Sequence, residues 1–264
     1  MRLVYPTMTT GNDSLSPKIT YLVCATHRSG SNLFCQSLWL SELAGYPQEC
    51  FSPTRSPVIA EEHGLTPPEE SFSLYLRSLL AKRQTNGVFG AKIMWKHVAW
   101  FREQLLADPQ YTGTRSENVA EVLKGAFPEL KYFWVRRRDK VRQAISLYKA
   151  KQTKIYNSMQ EDNGQGKQDV ELVYDFAAID KEVKRFEKEE QEWQKFFQDN
   201  QIAPYVVEYE NFVEDYEQTA IGALRFLGVD IPVDYEQPKS HYRQLADAVN
   251  DEWYARYRED VRKG

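Results

Sequence analysis

The stretch Tyr21-Leu22-Val23-Cys24-Ala25-Thr26-His27-Arg28-Ser29-Gly30-Ser31-Asn32-Leu33-Phe34 decides the fold. Strand-compatible residues over Tyr21–Thr26 run into a short polar turn with one glycine, and an apolar-periodic helix begins at once. A strand, a tight turn and a helix N-terminus aim free backbone N–H groups, and the positive end of the helix dipole, at one point. That geometry holds anions, most often phosphate-like groups. The other reading of the same residues is a plain strand-to-helix turn with Ser31 as the N-cap. A nucleoside-triphosphatase loop needs glycines at both ends, then a Lys for the terminal phosphates and a Ser or Thr for magnesium. Here Gly30 is alone and Ser31-Asn32 follow it, so that pair is missing. Arg28, Ser29, Ser31 and Asn32 are donors that need no metal.

Working outward, further strands are expected over Gly87–Met94, Leu130–Val135 and Tyr205–Glu208. Helices are expected over Ser31–Leu43, about Glu69–Lys82, near 97–106 and 116–126, and over Lys140–Ile155, Val170–Asn200 and Asn211–Leu227. Gly228 stops the last of these. Strands separated by helices imply an α/β fold, a parallel β-sheet flanked by helices on both faces. Residues 1–18 read as a loose leader and 19–264 as a single domain. Ala44–Pro57 and Asn157–Gln168 read as loops, and the charge run Lys181–Glu192 as a solvated helix face.

The composition of the 264 residues, 42% hydrophobic and 27% charged, is that of a globular protein. A net charge of only −4 gives no global field for nucleic acid or an anionic membrane, so any anion site must be local. Cys24, Cys35 and Cys50 have no metal-ligand spacing, and Cys24 and Cys35 read as core thiols. His27, His63, His97 and His241 are scattered, so no metal site is expected. No apolar run reaches membrane-spanning length and no signal-peptide core precedes Lys18, which makes a reducing cytosol the expected compartment.

A second basic site follows the third strand, at Arg136-Arg137-Arg138-Asp139, with Asp139 as the expected N-cap of the next helix and Ser146 two turns along it. Ligands of parallel sheets sit outside the carboxyl ends of the strands, where both basic segments fall. Two anion sites on one rim suit a ligand with two separated charged groups, and the planar fork of Arg binds phosphate oxygens in pairs. Simple pairing of these arginines with the chain's carboxylates is the equal alternative.

Thr26-His27-Arg28-Ser29-Gly30-Ser31-Asn32-Leu33 is similar to the 5′-phosphosulfate loop of sulfotransferases. Arg137-Arg138-Asp139 through Gln143-Ala144-Ile145-Ser146 resembles their 3′-phosphate motif. Gly45-Tyr46-Pro47-Gln48-Glu49-Cys50-Phe51 resembles a segment of the Stf0 type, as do Asn86-Gly87-Val88-Phe89-Gly90-Ala91-Lys92-Ile93-Met94-Trp95 and Asn250-Asp251-Glu252-Trp253-Tyr254-Ala255-Arg256-Tyr257-Arg258. The order and spacing hold over about residues 20–260.

The resemblance implies a P-loop-like fold of the sulfotransferase type. It also implies the donor 3′-phosphoadenosine-5′-phosphosulfate (PAPS), with sulfuryl transfer to a sugar hydroxyl of a glycoside, glycolipid or polysaccharide. Donor contacts then fall to Arg28, Ser29, Gly30, Ser31, Asn32, Leu33, Arg137, Arg138 and Ser146, with Arg137 and Arg138 unranked. Acceptor contacts fall to His27, Tyr46, Pro47, Gln48, Phe51, Lys92 and Trp95. His27 and Tyr46 depart from the member that sulfates trehalose, so trehalose is expected to be a poor acceptor. A homodimer is implied as well, with Cys50–Pro68 expected as a rigid surface loop walling the acceptor pocket.

Sulfuryl transfer asks the protein to position groups and stabilise charge, much as phosphoryl transfer does. Arg28 suits the leaving phosphate oxygen. The attacking hydroxyl must lose a proton, and Glu49, in a short loop that can fold back over the rim, is the leading base; His27 is the runner-up. Two other classes stay open. A P-loop nucleotide kinase or NTPase is disfavoured by the missing Lys-Ser/Thr pair, and a non-catalytic nucleotide- or carbohydrate-binding module by the intact Glu49.

Overall fold

A computed structural model describes residues 16–156, 170–242 and 247–263. Most of the expected leader and the whole Asn157–Gln168 loop lie outside them. The elements begin with β1 (Ile19–Ala25), α1 (Ser31–Leu40), α2 (Ser56–His63), α3 (Phe72–Lys82), β2 (Val88–Met94), α4 (Trp95–Ala107) and α5 (Val119–Ala126). They continue with β3 (Leu130–Arg136), α6 (Lys140–Thr153), α7 (Phe176–Asp199), β4 (Tyr205–Glu208), α8 (Tyr209–Glu214), α9 (Tyr216–Leu227) and α10 (Ala248–Lys263).

The strands form one parallel sheet in the order β2-β1-β3-β4, with Leu22 opposite Ala91 and Tyr132, and Val135 opposite Val207. A central parallel strand is buried on both faces, which is why β1 reads as an unbroken apolar run. Successive side chains still alternate. Tyr21, Val23 and Ala25 pack with Phe34 and Leu38 of α1, Phe212 of α8 and Leu224 of α9. Leu22 and Cys24 face the opposite core, which is built from α2, α3, α4, α5 and the end of α7. Each fully buried Leu or Phe in these layers contributes about 2 kcal/mol. A third cluster joins Ile145 of α6, Phe186 of α7 and Trp253 and Tyr257 of α10, so α10 braces α6 from outside the sheet.

The structure corrects several expectations. Residues 211–227 do not form one helix: Asp215, at φ −130° and ψ 61°, divides α8 from α9. The long helix starts at Phe176 rather than Val170, because the Asp175 side chain caps it by accepting from Ala178 N–H. Cys50–Pro68 is not a surface loop. It contains α2, and Cys50, Phe51, Ser56, Ile59 and Ala60 are buried. The charge run of α7 is only partly solvated. Glu182 and Glu189 are buried, Glu182 pairs with Lys151 and Arg185, and Glu189 pairs with Arg185.

Candidate active site

The turn after β1 has two left-handed residues, Arg28 at φ 62° and Gly30 at φ 89°. Alternation of this kind gathers N–H groups into an anion-binding concavity. Gly30 is the N-cap of α1, and no side chain caps that helix. The Ser31-cap reading is therefore wrong. By contrast, Ser71, Asn118, Asp139 and Asp175 cap α3, α5, α6 and α7. The first N–H groups of α1 are thus left for a ligand. Only glycine fits at position 30: a Cβ there would lie 2.4 Å from the Tyr209 ring.

Helix α6 fastens this loop. Gln143 donates to Thr26 Oγ1 at 2.8 Å and to the His27 carbonyl at 2.6 Å, and Ser146 Oγ accepts from Arg28 Nε at 2.9 Å. Gln143 and Ser146 are three apart and share a helix face. Arg28 also donates to the Tyr156 carbonyl. The Ser29 hydroxyl is spent on the Thr26 carbonyl at 2.9 Å, which leaves its backbone N–H as the group that can serve a ligand.

The two expected basic segments touch. Arg137 donates to the Arg28 carbonyl at 3.4 Å and lies over the Tyr209 ring, 4.7 Å from its centroid. Its Nε is buried with no hydrogen-bond partner. Burial and the neighbouring Arg137 push the Arg28 guanidinium down to about 10. No carboxylate among the described residues lies within ion-pair distance of Arg28. Arg28, with no carboxylate partner, and Arg137, with a buried N–H left over, are cations suited to an anionic ligand. Arg138 points elsewhere. Its side chain is 55% exposed, pairs with Glu208 and Glu210 at 3.6 and 3.7 Å, and donates to Asn211 at 2.8 Å.

The Tyr46–Glu49 segment lies along the free edge of β2. Gly45, at φ 71°, packs so closely that a Cβ would sit 2.7 Å from the Val88 carbonyl oxygen. The Tyr46 ring is held between the Trp39 edge at 4.8 Å and the Arg83 guanidinium at 4.9 Å. Buried Arg83 donates to Gln48 Oε1 at 2.7 Å, and the Gln48 carbonyl accepts from Lys92 N–H at 2.7 Å. The ring and amide expected to meet an acceptor are therefore engaged in holding the segment. Pro47 is buried between them.

This clamp carries Glu49 to the mouth of the loop. Lys92 Nζ donates to Asn32 Oδ1 at 2.6 Å, in the first turn of α1, and lies 3.5 Å from Glu49 Oε2. His97 Nε2 lies 3.8 Å from Glu49 Oε1. Burial, followed by repulsion from Lys96, Arg185, Lys92 and His97, pushes the His27 imidazole down to about 3. Its Nδ1 is buried without a partner. So weak a proton acceptor is a poor general base, which leaves Glu49 as the stronger candidate.

Phe51 does not line a pocket. It is fully buried, edge-on to Phe101 at 4.8 Å and Phe127 at 5.7 Å. Trp95 opens α4 half-buried, with its ring edge-on to Trp193 at 4.9 Å. Gln143, His97 and Tyr209 escaped the sequence reading as site residues. Only Gln143 had a signal, its i, i+3 relation to Ser146.

A family model described as Stf0 sulphotransferase matches residues 20–260. The chain belongs to the Stf0 sulfotransferases. This Stf0 sulfotransferase is 26% identical over 264 residues to the trehalose 2-sulfotransferase of Mycolicibacterium smegmatis, spanning 92% of this chain and 96% of the relative. It is 27% identical over 262 residues to the trehalose 2-sulfotransferase of Mycobacterium tuberculosis, spanning 91% and 95%. A solved structure, the sulfotransferase domain of the Synechococcus PCC 7002 olefin synthase, aligns with a TM-score of 0.41 at 13% identity over 95% of this chain and 96% of that one. As an enzyme of this family, the Stf0 sulfotransferase uses PAPS as its sulfuryl donor. The uncapped end of α1, unneutralised Arg28 and the free Nε of Arg137 are donor groups that fit a nucleotide with two separated anionic groups. Among the described residues no helix is long and apolar enough to cross a membrane.

Proposed function

We propose that the enzyme transfers a sulfuryl group to the hydroxyl of a carbohydrate, in line, with Glu49 as general base. One observation carries this reading. The Lys92 ammonium touches both Asn32 of the anion loop and Glu49, so the base candidate and the donor loop converge on one spot. The curated relatives, both trehalose 2-sulfotransferases, support a sugar acceptor.

In this reading Glu49 removes the hydroxyl proton as the acceptor oxygen bonds to sulfur and the sulfur–oxygen bond to the phosphate breaks. Arg28 and the N–H groups of Ser29 to Leu33 meet the charge that builds on the leaving phosphate oxygen. Arg137 and Ser146 hold the 3′-phosphate. Arg137 is preferred to Arg138 because a phosphate at Arg138 would compete with two carboxylates. His27 is a neutral contact on the acceptor side, and Lys92 keeps Glu49 in register with the loop. Residues 19–264 act as one domain, and a homodimer, testable by light scattering, follows from the family resemblance.

The test is transfer of radiolabelled sulfate from PAPS to a panel of glycosides that includes trehalose. Incorporation into a glycoside is expected, with trehalose a poor acceptor because His27 differs from the trehalose-sulfating member and Tyr46, which also differs, sets the position of the segment that carries Glu49. Efficient labelling of trehalose would refute that specificity. Glu49→Gln keeps shape and removes proton acceptance, so turnover should fall about a hundredfold or more with donor binding intact. Near-normal turnover would refute the base assignment.

A further inference from the structure

Glu49 meets two basic side chains, one at each carboxylate oxygen: Lys92 at Oε2, 3.5 Å away, and His97 at Oε1, 3.8 Å away. The side chains of Glu49, Lys92 and His97 are 21%, 9% and 13% exposed, so the contact is largely withdrawn from water and is electrostatically stronger for it. His97 sits in the first turn of α4, which follows β2 without a loop. Trp95, on that turn, is wedged against buried Trp193. The Lys92 N–H to Gln48 carbonyl bond ties the Glu49 segment to the same strand. Both sides of the Glu49–His97 contact therefore rest on rigid elements, and its 3.8 Å lies just beyond hydrogen-bond length. Such contacts commonly tighten when substrate binds.

We propose that His97 is a positioning residue for the Glu49 base, its neutral imidazole steadying Oε1 while Lys92 holds Oε2, so that the carboxylate is aimed at the acceptor hydroxyl. The inference rests on Glu49 being the base. The groups around His97 are Lys96 on its own helix, Glu49 in the edge loop, Lys92 on β2 and His27 on the anion loop. Helix α7 brings Arg185 near His27 and Glu189 near Lys96, one step further from the ring. Burial, then Lys96, lowers the His97 imidazole from its usual value, while Glu49 pulls the other way. At neutral pH the ring is uncharged and orients the carboxylate without adding a second cation beside it. Acidification protonates the ring and turns the aiming contact into an ion pair. His97 thus adds to the acid limb of activity.

The experiment compares His97→Ala and His97→Gln in the intact enzyme and in the Glu49→Gln background. His97→Ala should lower kcat about tenfold or more through misplacement of the base. The melting-temperature rise given by 3′,5′-adenosine bisphosphate should stay unchanged. Gln has an amide N–H at about the reach of Nε2, so His97→Gln should recover most of the rate, and its acid limb should be shallower than that of the parent enzyme. In the Glu49→Gln background, His97→Ala should cost nothing further, because a residue acting through a partner is silent once the partner is gone. Full kcat in His97→Ala, an undiminished loss in the Glu49→Gln background, or no rescue by Gln with an unchanged acid limb would each overturn the inference. If His97→Ala does not fold, His97→Asn, whose shorter amide falls short of Oε1, takes its place in both backgrounds with the same expected loss. Near-normal turnover in Glu49→Gln would overturn the base assignment and this inference together. An inert Glu49→Gln beside a fully active His97→Ala would overturn the inference only.

Discussion

Arg28 holds a left-handed backbone at φ 62°, which costs a residue with a side chain about 1 kcal/mol or more. The surroundings enforce it: Ser146 and the Tyr156 carbonyl take its guanidinium, and Arg137 donates to its carbonyl. Strain maintained from three directions points to a side chain needed at one place. Replacement of Arg28 by Ala should lower kcat sharply, because in its proposed role the contact strengthens as charge builds on the leaving oxygen. Arg137→Ala and Ser146→Ala should chiefly raise KM for the donor, and Arg138→Ala should do so less than Arg137→Ala. Steady-state kinetics with PAPS varied resolve the set. A larger donor KM in Arg138→Ala than in Arg137→Ala would reverse the choice between the two arginines.

At the scale of elements, Asp108 shows how side chains terminate and join helices. Its Oδ2 accepts from the Ser71 hydroxyl at 2.7 Å and from Ser73 N–H at 2.8 Å, and its Oδ1 accepts from Gln110 N–H at 2.8 Å. The end of α4 is thereby tied to the start of α3. Burial alone would raise the carboxyl, but these hydrogen bonds more than reverse that and hold it down to about 2. A depressed carboxylate stabilises the fold above its unfolded value of 3.8, and the contribution is lost as pH falls through about 2. Asp108→Ala should therefore cost about 2 kcal/mol at neutral pH, with the gap from the parent closing between about pH 4 and 2. Urea melts across that range check it, and a gap as large at pH 2 as at neutral pH would contradict the account.

Such ties explain what was legible in the sequence. The strand-turn-helix at Tyr21–Phe34 was plain because its pattern is local. Helix α2 was hidden because Pro57 reads as loop punctuation, although proline is well tolerated in the first helical turn where it stands. The break at Asp215 was masked by an apolar pattern that continues through it. Glu49 could be named from its segment, but His97 could not, since its meeting with Glu49 depends on a bridge between Gln48 and the edge of β2. Phe51 failed as an acceptor contact for a similar reason: an aromatic beside the base in sequence turns inward to Phe101 and Phe127.

For the molecule as a whole, the contact between the two basic segments ties the proposed donor site to the 3′-phosphate. The 3′,5′-bisphosphate product should raise Tm by mass action, and adenosine 5′-phosphosulfate, which leaves Arg137 and Ser146 unfilled, should raise it less at equal concentration. Differential scanning fluorimetry measures both, and equal shifts would remove those residues from the donor site.

The bond between Arg28 and Ser146 spans 118 residues, and β1 is completed on one side only by β3. This gives the site a place in time. At roughly 5–20 residues per second, a ribosome takes on the order of ten seconds to get from one partner to the other. Throughout that interval the nascent chain carries its anion loop without Gln143 to anchor it or Ser146 to hold Arg28. The loop is thus braced not when it is synthesised but when α6 arrives, and the α10 packing that steadies α6 comes later still.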